Sequence, residues 1–74
     1  MLQVLLCRAS MVLFDAAATQ VVLPSEEGEV SVFDFHAPML CALGNGNVEI
    51  DGKRFAICGG IAKVLKNAVT ILVS

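Results

Sequence analysis

His36 is the one histidine in the chain and the side chain whose ordinary pKa best suits proton transfer near neutral pH. It has no partners for such work. A zinc site needs three or four ligands at short spacings, and Cys7, Cys41 and Cys58 contain no C-x-x-C pair. An odd number of widely spaced cysteines fits no disulfide framework either, so they read as small buried apolar residues of a reducing compartment. Ser10, Ser25 and Ser31 lie in no nucleophile-elbow motif, and the glycines form neither GxGxxG nor a phosphate loop. Glu26, Glu27 and Glu29 could in principle pair. Glu26 and Glu27 occupy a turn, however, where water keeps both ionised, and general acid–base work needs their pKa values pushed apart. The expectation is a chain with no catalytic residue, no metal site and no cofactor. The acidic turn reads as a solvated or contact surface, and His36, Ala37 and Pro38 as a tight turn or contact loop.

These residues belong to one stretch, LPSEEGEVSVFDFHAP, from Leu23 to Pro38. A Pro-started acidic turn (Pro24 to Gly28) leads into an alternating strand, Glu29 to Phe33, and Asp34-Phe35 turns the chain before His36. Both prolines of the chain pin its ends. Around it the sequence is rich in strand patterns. Leu2 to Cys7, Met11 to Phe14, Thr19 to Leu23 and Met39 to Leu43 read as short strands. Asn47 to Ile50 and Lys53 to Ile57 alternate on either side of Asp51-Gly52, the signature of a type I′ hairpin. Gly44-Asn45-Gly46 and Gly59-Gly60 read as strand breaks, and Lys66-Asn67-Ala68 as a second hairpin between Ile61 to Leu65 and Val69 to Val73. Eight or more short strands with frequent turns predict an all-β sandwich of two antiparallel sheets, one domain over residues 1–74. Ala62-Lys63-Val64 also bears some likeness to lipoyl and biotinyl carrier domains. Those present the modified lysine at a hairpin tip, whereas Lys63 falls within an apolar strand.

Composition narrows the function classes. At 74 residues and 57% hydrophobic against 16% charged, a small core leaves apolar surface for an interface. A net charge of -2 with scattered basic residues argues against nucleic acid. No apolar run approaches the ~18 residues of a membrane span. Met1-Leu2-Gln3 lacks the basic start of a signal peptide and Arg8 interrupts the apolar run, so the chain reads as cytosolic, with any membrane association indirect.

Taken together, Leu23-Pro24, Glu27-Gly28-Glu29 and His36-Ala37-Pro38 at this spacing resemble the N-terminal β-sandwich domain of the epsilon subunit of rotary ATP synthases. Leu43, Gly46, Gly59-Gly60, Asn67 and Val69 to Leu72 extend the resemblance over nearly the whole chain, as does Val12-Leu13-Phe14 before Val21 to Pro24. In one place it departs: Asp34-Phe35 stands where the family usually has Pro-Gly. The C-terminal helical hairpin that restrains hydrolysis in longer members falls outside the resemblance. The resemblance implies a non-catalytic central-stalk subunit, peripheral at the cytoplasmic face of a bacterial inner membrane. It would bind the gamma subunit and the polar loops of the c-subunit ring, with Glu29, His36, Ala37 and Pro38 as ring contacts. Strand geometry alone does not join Glu29 to His36: an odd separation points side chains to opposite faces unless Asp34-Phe35 reverses the chain.

Overall fold

A computed structural model describes all 74 residues. It is all strand: β1 (Leu2–Arg8), β2 (Met11–Ala18), β3 (Val21–Ser25), β4 (Gly28–Val32), β5 (Met39–Ile50), β6 (Lys53–Leu65) and β7 (Ala68–Val73). The strands hydrogen-bond in the order β2-β1-β7-β6-β5-β3-β4, antiparallel except for β1 and β7, which run parallel from Gln3 opposite Ala68 to Arg8 opposite Val73. This continuous ladder folds over to make the two layers of the sandwich. The first halves of β5 and the second half of β6 join β7, β1 and β2 in a five-strand layer. The other halves of β5 and β6 join β3 and β4 in a four-strand layer. Phe14 on β2 meets Phe55 on β6 edge to face, with ring centroids 6.1 Å apart, although two strands separate them in the ladder. Only a folded sheet brings them together.

There are seven strands rather than eight or more, because β5 and β6 run straight through the glycines that read as breaks. Inward-facing residues explain how. On β5 the core side passes from Met39, Cys41 and Leu43 to Val48 and Ile50, and on β6 from Phe55 and Ile57 to Ala62 and Val64. Each strand therefore changes which face is buried, and both do so at the same level, where Leu43 pairs with Gly60 and Asn45 with Cys58. The register never slips. Residues without a Cβ let the ribbon turn its other face inward with its ladder intact. Gly60 has φ 150°, and a Cβ there would collide with the Leu72 carbonyl oxygen and approach Val73 Cα to 2.8 Å. No other residue fits.

The core holds 16 residues drawn from all seven strands, every one apolar, so no polar side chain has to be satisfied inside. The turn chemistry follows the sequence at Asp51-Gly52, whose φ values of 47° and 87° are both positive, as a type I′ turn requires. Asp51 has a second task. Its carboxylate accepts hydrogen bonds from the Thr19 hydroxyl at 2.7 Å and from the Thr19 and Gln20 amides at 3.0 Å each. The β5–β6 turn is thereby tied to the link between β2 and β3 that crosses from one layer to the other. These donors, the Thr19 hydroxyl foremost, hold the Asp51 carboxyl below its ordinary pKa.

The cysteines depart from expectation. Cys58 is exposed and Cys7 and Cys41 are half-buried. Cys58 sits on the outer side of the ribbon where the buried face switches, and Cys7 points outward from β1. Partial burial pushes the Cys41 thiol pKa up, which favours its neutral form.

Candidate functional site

With a wholly apolar core, anything the molecule recognises must be recognised from outside. Its two outer faces differ. Across the five-strand layer, the register aligns Ala42, Ile61, Leu72, Cys7 and Val12 in one row that crosses β5, β6, β7, β1 and β2. Ile61, Leu72 and Val12 are each more than half exposed. Alternation produces the row: their sequence neighbours Ala62, Ile71, Val73 and Leu6 face the core. An apolar row across an entire layer leaves hydrophobic surface uncovered.

The outer face of the four-strand layer is polar. A depression of about 450 Å³ there is bordered by Pro24, Ser25, Glu29, Asn45, Asn47, Glu49 and Arg54, among other residues, with no hydrophobic side chain. Pro24 lies over the bare backbone of Gly46, where a Cβ would come within 3.0 Å of the proline Cβ. Glu49 faces Arg54 across the ladder, with Nε to Oε2 at 3.8 Å, beyond the 2.7–2.9 Å of a strong charge-assisted bond. Glu29 has no cationic partner within the chain. Its carboxylate is free to meet a positive group from outside.

His36 lies elsewhere. The chain does turn at Asp34-Phe35: the His36 amide donates to the Phe33 carbonyl at 3.2 Å, and Phe35 takes φ 64°. The Phe35 amide donates to Asn67 Oδ1 at 2.7 Å, which docks this loop on the β6–β7 turn. His36 Nδ1 lies 2.7 Å from the Ala37 carbonyl oxygen. His36, Phe35 and Pro38 share a second depression, of about 400 Å³, with Lys66 and Asn67. Of the four residues singled out in the sequence, His36, Ala37 and Pro38 therefore stay together, whereas Glu29 lines a different depression at the other end of β4. Glu26 and Glu27 form the exposed tip of the β3–β4 hairpin. Lys63 lies within β6, opposite Leu40 on one side and Thr70 on the other, far from a hairpin tip.

The apolar row and the exposure of Phe35 are not visible in the sequence. Alternation in each strand contained the first, but the row appears only once five strands are placed in register. The positive φ at Phe35 explains a glycine as the favoured residue there, and so gives a physical sense to the departure at Asp34-Phe35.

What the fold and these surfaces define is a small β-sandwich with an apolar row across one outer face and a polar depression on the other, a class of module suited to contact. The chain belongs to the family described as ATP synthase, Delta/Epsilon chain, beta-sandwich domain, whose model matches residues 1–74. It is 45% identical over 65 residues to an ATP synthase epsilon chain of Synechococcus sp. (strain JA-2-3B'a(2-13)), covering 82% of this chain and 47% of that one. Against the epsilon chain of Sinorhizobium fredii (strain NBRC 101917 / NGR234) the identity is 43%, over 81% of this chain and 48% of the relative. The chain thus spans about half the length of the curated relatives it matches. In fold it is similar to a chain in a cryo-EM structure of the Euglena gracilis mitochondrial ATP synthase OSCP/F1/c-ring. There the TM-score is 0.89 at 24% identity, over 97% of this chain and 49% of that one. A chain of the Tetrahymena thermophila mitochondrial ATP synthase central stalk/c-ring gives 0.81 at 19% identity, over 97% and 62%.

Proposed function

We propose that this chain is a non-catalytic central-stalk subunit of an F-type ATP synthase. In this reading it binds the gamma subunit and the polar loops of the c-ring, and couples ion flow through the membrane sector to ATP synthesis. The observation that carries the proposal is the apolar row Ala42–Ile61–Leu72–Cys7–Val12, in a chain whose family membership spans residues 1–74. A row of this kind needs a permanent cover, and gamma provides one. The polar face then looks away from gamma. Glu29 meets basic groups of the ring loops there, and His36, Ala37 and Pro38 add a second point of contact. The subunit sits peripherally where those loops emerge, on the cytoplasmic face of the membrane in a bacterium. No helix of the chain is long and apolar enough to cross that membrane.

The test is a charge on the covered face. Ile61→Asp with Leu72→Asp alters two outward side chains without touching the core. The doubly substituted chain keeps its β-type circular dichroism spectrum and loses co-elution with gamma. Undiminished co-elution with gamma contradicts the proposal.

A further inference from the structure

Phe35 is 90% exposed, the most exposed of the large hydrophobic residues, and it stands in left-handed backbone at φ 64°. A residue with a Cβ seldom adopts that conformation, and a bulky one seldom does so in the open. Nothing in the chain's own packing returns that cost, since the ring makes almost no contact with the rest of the molecule. The loop is nonetheless firmly built. Asn67 Oδ1 holds the Phe35 amide, the His36 amide closes on the Phe33 carbonyl, and Pro38 restricts the backbone beyond. The ring borders a depression with Lys66, whose ammonium takes part in neither of the two ion pairs of the chain.

We infer that Phe35 is a preformed contact knob that enters an apolar socket on a protein partner, where a carboxylate beside the socket pairs with Lys66. Strained backbone at an exposed position is where function, rather than folding, selects the residue. A rigid aromatic ring loses little freedom on binding, which is why such side chains serve as anchors. A knob beside a concavity matches a surface of fixed relief. A bilayer offers none, and one lysine on a chain of net charge -2 gives little attraction to anionic lipid. The free ammonium supplies the charge complementarity that names a carboxylate on the other side. The inference rests on the central-stalk reading for where the partner lies, in the assembled stalk next to the His36–Pro38 contact.

Phe35→Gly separates folding from binding because the two respond in opposite senses. Glycine adopts positive φ freely, so the variant melts at the same temperature as the parent chain or higher. Its dissociation constant for the ATP synthase stripped of this subunit rises at least about tenfold. Lys66→Glu weakens binding as well, and its effect shrinks as salt is raised. Equal binding by Phe35→Gly and the parent overturns the knob while leaving the central-stalk reading intact. A lowered melting temperature assigns the ring to folding and also overturns it. Loss of binding to phosphatidylcholine–phosphatidylglycerol vesicles, with enzyme binding unchanged, identifies a bilayer as the occupant and does the same. Failure of the parent chain itself to bind the stripped enzyme overturns both readings.

Discussion

Outward from β6, the five-strand layer shows Ile61, while the four-strand layer shows Arg54, only a few residues earlier on the same strand. β5 behaves alike: Ala42 looks out from the first layer, Asn47 and Glu49 from the second. One ribbon therefore contributes to an apolar row on one surface and to a polar depression on the other. The switch of buried face at Gly44–Gly46 and Gly59–Gly60 makes this possible, since it lets the outward pattern be chosen separately on either side. The lesson is that these glycines do more than permit a bend. They divide the molecule into a face crossed by an apolar row and a face lined by polar side chains.

The largest effect comes from removing that division. Gly60→Ala sets a methyl against the Leu72 carbonyl in left-handed backbone. The expected loss is about 2–5 kcal/mol, from strain at positive φ added to overpacking. That approaches the whole stability of a domain this small, so urea titration finds the variant largely unfolded without denaturant. Next comes the apolar face. Ile61→Asp with Leu72→Asp forfeits burial of about 1.5–3 kcal/mol for each side chain on binding gamma, a loss readable by calorimetry, while the free chain keeps its melting temperature within a few degrees.

The tie between the layers at Asp51 depends on pH. Its folded pKa lies below the unfolded carboxylate value of about 3.9, so its contribution is fully present above that pH. It fades as pH falls through the folded value. Asp51→Asn should lower the melting temperature by several degrees at neutral pH. As pH falls through the folded value the difference between variant and parent should shrink, because protonation weakens the parent's tie. A constant difference from neutral to acid pH would mean that shape rather than charge makes the tie. The smallest effect falls on the polar face. Glu29→Ala should reduce coupling slightly, in keeping with about 0.2–1 kcal/mol for an exposed ion pair, and Glu29→Lys should do more by repelling basic loops. Both effects should diminish in high salt.

Much of this was legible in the sequence, and the parts that were not share a cause. Asp51-Gly52 announced its hairpin because both residues tolerate the backbone that the turn demands. The strands announced themselves by alternation. Gly59-Gly60 misled because a glycine pair that ends a strand and one that flips its buried face look alike until the partner strand is known; here Gly60 pairs with Leu43. The parallel pairing of β1 with β7 joins the two ends of the chain, and no local pattern encodes it. The same holds for the site. Glu29 and His36 were recognisable as polar groups in one stretch, and the turn between them was recognised too, but its direction depended on Asn67, 32 residues beyond Phe35.

If the two faces meet two different subunits, each lies within cross-linking distance of its own partner. Leu72→Cys, Glu29→Cys and His36→Cys are made singly in a chain whose Cys7, Cys41 and Cys58 are replaced by serine. Each is reassembled with the stripped enzyme and treated with a short cross-linker. Position 72 is expected to join gamma, while positions 29 and 36 join the c-subunit loop. Position 29 joining gamma alone, with position 72 joining nothing, would contradict it.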